Sequence, residues 1–439
     1  MKTATRLVDI PVPPVIETAV IVRLVLPTDS SWEVEESIAE IKRLAWTAGA
    51  RAACEVIQRR EKPCPATLIG KGKARELEAI CNEVDADLVI VDGELSPSQG
   101  SNLEEIVGRK VVDRTQLILD IFAQRAKTLE AKHQVELAQL QYLLPRLAGR
   151  GSLMRQQGGI GVRGPGEQKL EVDRRVIRNR ISRLQAELSE IRKQRWVQRK
   201  QRRESGTATV ALVGYTNAGK SSLLNALTGA GVFVEDKLFA TLSPTSRRCK
   251  LPSGMDAVFT DTVGFVRKLP HSLVAAFRAT LEEVNEAQVL LVVADASDPA
   301  VEEHMETVHQ VLEEIGAHEV PFIRVINKID LVAPEHVRRL LDAPSSLRTA
   351  EAHVAVSALH GDNLQDLLVA VDRVLSRGRR RVLLRVPQRD AGVVALLRQM
   401  GHIFSQTYEH NEIVIDAEVV PAVEGKVRRY IVDGAKRTP

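Results

Sequence analysis

The chain has 439 residues, a length typical of about two to four domains. Its hydrophobic content of 44% and charged content of 27% are ordinary for a globular protein, and the net charge of +4 is no basic excess that would by itself indicate a nucleic-acid partner. No window approaches 18 uninterrupted apolar residues and residues 1–14 lack an apolar core, so neither a bilayer span nor a signal peptide is expected. Four cysteines without a CxxC pair predict free thiols and a cytoplasmic location.

Strand and helix signals alternate through the first part of the chain, which predicts an N-terminal α/β domain over residues 15–113 with a small parallel or mixed sheet. The expected strands are 18–26, 53–58, 68–72, 88–91 and 111–113. The expected helices are 32–48, 73–84 and one that Ser96-Pro97 opens. Gly70-Lys71-Gly72-Lys73 lacks the spacer of a phosphate loop, so a β–α turn with surface lysines is favoured over an anion site.

Two long amphipathic patterns follow, which predict an antiparallel helical hairpin over residues 114–205. The segment Thr115–Leu147 contains no glycine, and apolar residues recur along it at helical spacing. In Glu167–Arg203 the apolar residues step by threes, fours and one seven, as in a coiled-coil seam, and this segment also carries a basic excess.

The joining segment, residues 149–166, is a glycine-rich tip. From Leu137 to Gly166 there is no acidic residue, and the arginines there are Arg146, Arg150, Arg155 and Arg163. A flexible cationic tip on a rigid arm suits a negatively charged cavity such as the interior of an RNA. These four arginines are therefore the candidate RNA contacts, although a solvated charged face and a mobile loop would show the same pattern.

A phosphate-binding loop follows a short apolar run. Residues 209–213 read as a buried strand and residues 222–227 as the start of a helix. Between them the chain fits G-x-x-x-x-G-K-[ST], in which backbone amides and the helix N-terminus hold phosphates. Lys220 is expected to reach the β- and γ-phosphates, and Ser221 to place its hydroxyl on Mg²⁺. The predicted phosphate-binding residues are Gly214, Tyr215, Thr216, Asn217, Ala218, Gly219, Lys220 and Ser221.

Two later stretches supply the other expected phosphate and magnesium contacts. The first is a loop made of Phe239, Ala240, Thr241, Leu242 and Ser243, in which Thr241 can reach Mg²⁺ and the γ-phosphate. A hairpin predicted from 248–252 and 257–260 leads to the second, a D-x-x-G element made of Asp261, Thr262, Val263 and Gly264. Asp261 is expected to hold Mg²⁺ through water, and Gly264 to offer its amide to the γ-phosphate. Lys220, Thr241 and Gly264 are thus the residues predicted to act in hydrolysis.

The base is predicted to be guanine. A strand at 321–326 precedes the N-K-x-D element made of Asn327, Lys328, Ile329 and Asp330. The Asp330 carboxylate can accept two hydrogen bonds from guanine, and adenine offers neither donor. A further strand then leads to Ser357, Ala358 and Leu359, whose backbone can contact guanine O6. The order of these motifs predicts a Ras-like, doubly wound P-loop GTPase domain over residues 206–376 that binds GTP and GDP.

Two residues bear on the rate of hydrolysis. Phe265 stands where Ras-like enzymes carry a glutamine that positions water, and phenylalanine cannot orient water, so intrinsic hydrolysis is expected to be slow and stimulated by a partner. Asn217 occupies the position at which potassium-stimulated GTPases carry a K⁺ ligand. Loop asparagines also bond local backbone, and the sequence leaves K⁺ and a local cap equally open.

The last part of the chain has a β-α-β-β pattern, which predicts a small C-terminal α+β domain over residues 380–435. The whole chain is therefore expected to be a multidomain α/β protein. No side chain of the C-terminal domain indicates a role for it.

Several motifs together resemble the HflX GTPases, a family of the Obg-HflX-like P-loop GTPases. They are Asp113-Arg114-Thr115, residues 119–126 (LDIFAQRA), residues 135–140 (VELAQL), residues 163–167 (RGPGE) and the P-loop GYTNAGKSSLLN. Two departures are Ser243, where many relatives have aspartate, and Gln168-Lys169 in place of threonine and glutamine.

The resemblance implies a ribosome-associated GTPase, expected to be a monomer. Its partners would be the large ribosomal subunit and its RNA, and the 70S ribosome, which the family is linked to splitting when stalled or idle under stress. The resemblance also implies that the hairpin tip reaches the peptidyl-transferase region. The alternative is a GTP-dependent module on another RNA or at a membrane surface, although nothing in the sequence indicates a membrane contact.

Overall fold

The structure is a computed structural model that describes residues 16–154, 165–204, 207–229, 238–242, 244–267, 283–343, 349–377, 380–419 and 421–432. The described residues form two compact units, one up to Gln185 and one from Ala186 onward. The described part of the chain has several α/β domains, as predicted. In the part of the chain that is described, every helix is too short or too polar to cross a membrane.

The first unit is built on a four-stranded sheet whose strands all run parallel, in the order β2-β1-β3-β4. Four helices alternate with these strands and cover both faces of the sheet. The strands are β1 (Glu17–Val25), β2 (Ala50–Arg59), β3 (Leu88–Val91) and β4 (Lys110–Asp113). The helices are α1 (Ser31–Ala48), α2 (Lys71–Glu83), α3 (Pro97–Val107) and α4 (Arg114–Arg125).

Side-chain caps explain where three of these helices, α1, α3 and α4, begin. Ser30 and Glu33 form a reciprocal capping box at the start of α1, and Ser96 and Gln99 do the same at the start of α3, as the Ser-Pro signal predicted. Asp113, the last residue of β4, accepts the Gln116 amide and so begins α4 directly after the strand. The carboxyl ends of β3 and β4 are therefore followed at once by ordered turns and helices.

The strand predicted over residues 68–72 is wrong. Leu68 makes one isolated bridge to Cys64 and has a φ of 63°, which breaks an extended run. Helix α2 begins at Lys71, with Gly70 as its N-cap and the Gly70 amide bonded to Gln58 Oε1 at 2.8 Å. The local pattern of apolar residue and glycine fits a turn as well as it fits a strand.

The long helix predicted over residues 115–147 is two helices. Helix α4 ends at Arg125, and α5 (Leu129–Met154) starts after Thr128, whose Oγ1 accepts the Ala131 amide at 3.2 Å. Helix α5 continues through Pro145, and α6 (Pro165–Glu204) follows, so both ends of the predicted 149–166 tip are helical. Arg180 of α6 donates two bonds of 2.7 Å to Glu136 of α5, as expected for an antiparallel pair.

The second unit contains a six-stranded sheet in the order β10-β9-β8-β5-β7-β6. Only the edge pair β6–β7 is antiparallel among these strands, in agreement with the predicted hairpin. The strands are β5 (Ala208–Gly214), β6 (Thr245–Lys250), β7 (Asp256–Asp261), β8 (Val289–Asp295), β9 (Phe322–Asn327) and β10 (Ala352–Ala355). The central strand β5 leads into the glycine loop.

Helices cover both faces of this sheet, as in a doubly wound fold. One apolar cluster joins the sheet to α7 (Lys220–Thr228) and α10 (Leu364–Leu375), and a second joins it to α8 (Val301–Glu314) and α9 (Pro334–Asp342). The carboxyl ends of parallel strands lie at one edge of the sheet, so the loops after β5, β7, β8 and β9 meet there.

The C-terminal α+β pattern is confirmed. Strands β11 (Arg380–Pro387), β12 (Gly401–Glu409) and β13 (Glu412–Val419) form an antiparallel sheet in the order β11-β13-β12. Buried residues alternate strictly along β13, so one face of the sheet packs on α11 (Ala391–Met400) and α12 (Pro421–Val427).

Candidate functional site: a nucleotide site at the carboxyl edge of the six-stranded sheet

The glycine loop connects the end of β5 to the first turn of α7. A cavity of about 50 Å³ lies over the loop, large enough for a phosphate group. Most of the predicted phosphate contacts meet in its lining, which comprises Thr216, Asn217, Gly219, Lys220, Ser221, Ser222, Phe239, Ala240, Thr241, Thr262 and Gly264. The loop therefore brings together residues that are far apart in the chain.

Lys220 is buried at the floor of this site. Its Nζ donates to the carbonyl oxygens of Tyr215 at 2.7 Å and of Gly214 at 3.1 Å. Burial lowers the pKa of Lys220 to about 8, and the nearby Asp261 opposes that shift. A desolvated ammonium held by two neutral carbonyls gains strongly from an anionic partner, which is what a nucleotide phosphate supplies.

Three side chains predicted to hold magnesium meet above the lysine. Asp261 Oδ2 accepts from Ser221 Oγ at 2.6 Å and from Thr241 Oγ1 at 2.8 Å, and the two hydroxyls are 2.9 Å apart. The other oxygen, Oδ1, is buried and has no hydrogen-bond partner in the described part of the chain. Burial raises the pKa of Asp261, although Lys220 counteracts the shift. A desolvated carboxylate beside two hydroxyls fits a hard divalent cation, which would neutralise charge on the phosphates.

The D-x-x-G element approaches the glycine loop through its last residue. A Cβ at Gly264 would lie 2.8 Å from Thr216 Cγ2 and 2.9 Å from Lys220 Nζ, so any larger residue would displace the lysine. The next residue, Phe265, is 1% exposed and packs in the apolar core, while its backbone pairs with the loop through the Gly214 carbonyl and the Thr216 amide. Its side chain therefore cannot orient a water at the phosphates.

Asn327 links the glycine loop to the loop after β10. Its Nδ2 donates to the Ala218 carbonyl at 2.9 Å, and its Oδ1 accepts the Ala358 amide at 3.0 Å. A Cβ at Gly219, whose φ is 88°, would collide with Asn327 Nδ2. Asn327 thus connects the glycine loop with the loop after β10, the two segments predicted to bind the phosphates and the base.

The carboxylate expected to select guanine lies in the same N-K-x-D element as Asn327. Asp330 Oδ1 accepts from Ser357 Oγ at 2.6 Å, and the Asp330 side chain is 14% exposed. The ring of His360 lies 3.9 Å from Asp330 Oδ2. Ser357 thus orients the carboxylate through one oxygen, and Leu359 is exposed at the rim.

Two supporting residues were missed by the sequence reasoning. Asp295, the last residue of β8, pairs with Lys328 at 2.6 Å and so fixes the lysine of N-K-x-D, which has a φ of 62°. The sequence feature that could have identified Asp295 is an acidic residue at the end of a buried strand. His304 of α8 stacks on Tyr215 with ring centres 3.7 Å apart, and the Tyr215 hydroxyl accepts the Arg267 amide at 2.8 Å. No spacing rule connects these residues.

The other predicted site residues have simpler placements. Ala240 and Leu242 lie in the loop around Thr241, Val263 is buried and Ile329 belongs to a short 3₁₀ turn. Ser243 lies outside the described residues.

Of the four candidate RNA contacts, Arg146 is the one whose side chain is described. Its Nη2 donates to Asp113 Oδ2 at 3.0 Å and to the Leu95 carbonyl at 2.7 Å, and its guanidinium covers the Tyr142 ring. These contacts connect α5 to β4, and they occupy most of the Arg146 guanidinium that was predicted to contact RNA. Arg155 and Arg163 lie outside the described residues, as does the side chain of Arg150.

A glycine loop after a central parallel strand, a carboxylate with two hydroxyls beside it, and an N-K-x-D carboxylate define the class of P-loop GTPases. Three family models match the chain. They are described as GTP-binding GTPase N-terminal (residues 35–123), GTP-binding GTPase Middle Region (125–202) and 50S ribosome-binding GTPase (209–328).

The chain belongs to the HflX family of GTPases and is therefore a GTP-hydrolysing enzyme. It is 46% identical over 419 residues to the GTPase HflX of Caldanaerobacter subterraneus subsp. tengcongensis, covering 95% of this chain and 94% of that protein. It is 43% identical to the GTPase HflX of Escherichia coli, covering 93% and 94% respectively. A solved GTP-binding protein from Sulfolobus solfataricus in complex with GDP covers 82% of this chain and 99% of its own, at 25% identity and a TM-score of 0.43.

Proposed function

We propose that this GTPase binds the large ribosomal subunit and splits or rescues stalled and idle ribosomes under stress, acting in the cytoplasm as a monomer. The match of residues 209–328 to a model described as 50S ribosome-binding GTPase supports the choice of partner. The basic hairpin, residues 114–205, supports a contact with ribosomal RNA.

The observation that carries the proposal is the position of Phe265. Its ring is enclosed in the core beside the glycine loop, so the segment that usually presents a water-positioning glutamine presents none. Hydrolysis by the chain alone is therefore slow, and a partner completes the site. A ribosome that stimulates the GTPase would then couple hydrolysis to the bound state.

The proposal includes Mg²⁺, which Ser221, Thr241 and Asp261 would hold and which would neutralise negative charge on the phosphates. It also includes a K⁺ ion beside Asn217, which is exposed on the glycine loop with a φ of 64°. Such a monovalent cation would offset negative charge on the phosphates, in part as an arginine finger does.

Phosphate release should be measured with the full chain alone and with purified 30S, 50S or 70S particles, each in K⁺ and in Na⁺. We expect 50S and 70S particles, but not 30S, to raise turnover by orders of magnitude, and K⁺ to exceed Na⁺. Unchanged turnover with 50S and 70S would refute the ribosomal proposal. Co-sedimentation with liposomes or non-ribosomal RNA, and with no ribosomal fraction, would favour the alternative module instead.

Splitting requires a separate readout. Light scattering of 70S particles should fall when the chain and a non-hydrolysable GTP analogue are added, and the Lys220→Ala variant should give no fall. If 70S particles stimulate GTP turnover but light scattering does not change, the chain binds ribosomes without splitting them.

A further inference from the structure

A second and larger cavity lies inside the first unit, far along the chain from the nucleotide site. Its volume is about 570 Å³, within the range of small-molecule sites, and it is a cleft open to solvent that α3, β4, α4 and α5 line. Three of the stretches through which the chain resembles its family line it, at Asp113, Asp120 and Gln139-Leu140. None of these residues lines the nucleotide site described above.

The two aspartates of the cavity differ in their bonding. Asp113 is buried and fully engaged, because Oδ2 accepts from Arg146 and the Leu95 amide while Oδ1 caps α4. Asp120 is half-buried, and its carboxylate forms no hydrogen bond or ion pair within the described ranges. Burial raises the pKa of Asp120, and the exposed Lys110 counteracts the shift only in part. A desolvated carboxylate without a close partner is favourably placed to receive a cation.

The rest of the lining suits an apolar body rather than a bare ion. Leu119, Leu140 and Leu143 form its walls, and Leu143 remains 42% exposed. The amides of Gln116 and Gln139 add neutral polar groups. Of the two basic residues in the lining, Arg146 pairs with Asp113, and Lys110 is exposed and its charge acts on Asp120. The lining also has three acidic residues, Glu104, Asp113 and Asp120, so it favours a cation over an anion.

We propose that this cavity binds a small organic amine, with its protonated amino group against Asp120 and its apolar body against the leucine walls. The ligand would contact both α4 and α5 and would stabilise the joint between them through mass action. The site is independent of GTP binding and of the ribosomal proposal.

The test uses the full chain and three probes of similar shape and different charge. These are phenethylamine, neutral 2-phenylethanol and anionic 3-phenylpropanoate, each titrated by calorimetry with ligand-observed NMR as a second readout. We expect saturable binding of phenethylamine with a Kd below about 1 mM, binding of the alcohol weaker by about tenfold or more, and no binding of the acid.

Variants locate the site. Asp120→Asn, which keeps the shape and removes the charge, should weaken phenethylamine about tenfold or more and leave the alcohol unchanged. Gln139→Glu, which adds a carboxylate, should tighten the amine severalfold. Glu78→Gln removes a charge from an exposed position on α2 and should change nothing. Unchanged thermal unfolding and GTP turnover would show that each variant is folded.

Three results would overturn the proposal. They are equal binding of amine and alcohol, phenethylamine binding that survives Asp120→Asn, and absence of saturation at millimolar amine. Spermidine added as a fourth probe separates an apolar amine from a polyamine, and tighter spermidine binding than phenethylamine binding would contradict the role of the leucine walls.

Discussion

At the scale of single residues, Asp330 has the largest expected effect on which nucleotide binds. One of its oxygens is oriented by Ser357, and Asn327 holds the same loop against the glycine loop. A carboxylate held in this way can accept from the two N–H donors of guanine. Loss of its charge removes charge-assisted bonds and leaves donors of the base unpaired.

Asp330→Asn should therefore weaken GTP about 100-fold or more, from bonds of roughly 1.5–3 kcal/mol each. It should also improve binding of xanthosine triphosphate, because an asparagine N–H can donate to the oxygen that replaces the guanine amino group. Competition with a fluorescent GDP analogue measures both affinities. Asp342→Asn, at an exposed position of α9, is the matched control and should bind GTP like the parent. Equal GTP affinity in the two variants would remove Asp330 from base recognition.

Much of this site could be predicted because each motif follows a strand, and parallel strands deliver their carboxyl ends to one edge. Ser221, Thr241 and Asp261 meet within hydrogen-bond distance for that reason. The bracing contacts could not be predicted, since they depend on the packing of side chains from separate elements. The stacking of His304 on Tyr215 and the pairing of Asp295 with Lys328 are of this kind.

At the scale of elements, the sequence predicted strand and helix order well and local interruptions poorly. The predicted helix over residues 115–147 is interrupted after Arg125, and Thr128 caps the start of the second helix. The positive φ of Leu68 ends a short apolar run. Each interruption depends on one residue, and the spacing of apolar residues along the chain does not reveal it. The same limit applies to Arg146. Its charge predicted a contact with RNA, but in the structure it bonds Asp113 and the Leu95 carbonyl within the protein.

Arg146→Gln should loosen the joint between α5 and β4, because Asp113 is 1% exposed on its side chain and would lose its charged partner. The local opening free energy should fall by about 1–3 kcal/mol, which speeds amide exchange in the last turns of α5 roughly 5- to 150-fold. Hydrogen exchange with mass spectrometry measures this. The control variant Arg178→Gln removes the same charge at an exposed position of α6 and should leave amide exchange in the last turns of α5 unchanged. If Arg146→Gln instead left exchange unchanged and weakened only ribosome binding, the RNA role would be restored.

The pair Arg180–Glu136 should make a small, pH-dependent contribution to the contact between α5 and α6. The bond from Arg180 lowers the pKa of Glu136. The contribution is therefore present above the ordinary glutamate value and is lost as pH falls through the lowered pKa. Both side chains are more than one-third exposed, so we expect about 0.5 kcal/mol at pH 7. Calorimetry of Glu136→Gln should show a Tm deficit at pH 7 that shrinks toward pH 4, and a constant deficit would indicate a packing effect.

At the scale of the whole molecule, the nucleotide contacts and the arginine-rich sequence lie in different segments of the chain. The predicted nucleotide contacts all lie within residues 214–359, and the arginine-rich hairpin precedes them in the chain. Such a division predicts that the two activities can be separated by substitution. The domain limits read from the sequence, 15–113, 114–205, 206–376 and 380–435, stay predictions, as does the role of the last domain.

The triple variant Arg150→Gln, Arg155→Gln, Arg163→Gln should separate these activities. Removing cations from the tip should leave intrinsic GTP turnover unchanged and reduce the stimulation by 50S particles, because the loss falls on phosphate contacts with RNA. If all three arginines contact phosphates, the slope of log affinity against log salt should become shallower by roughly 2 to 3. Binding to 50S particles measured from 50 to 300 mM KCl gives that slope. The control Arg174→Gln, Arg175→Gln, Arg178→Gln removes equal charge from α6 outside the tip. Equal losses in both triple variants would mean that general basicity, rather than the tip, brings the hairpin to RNA.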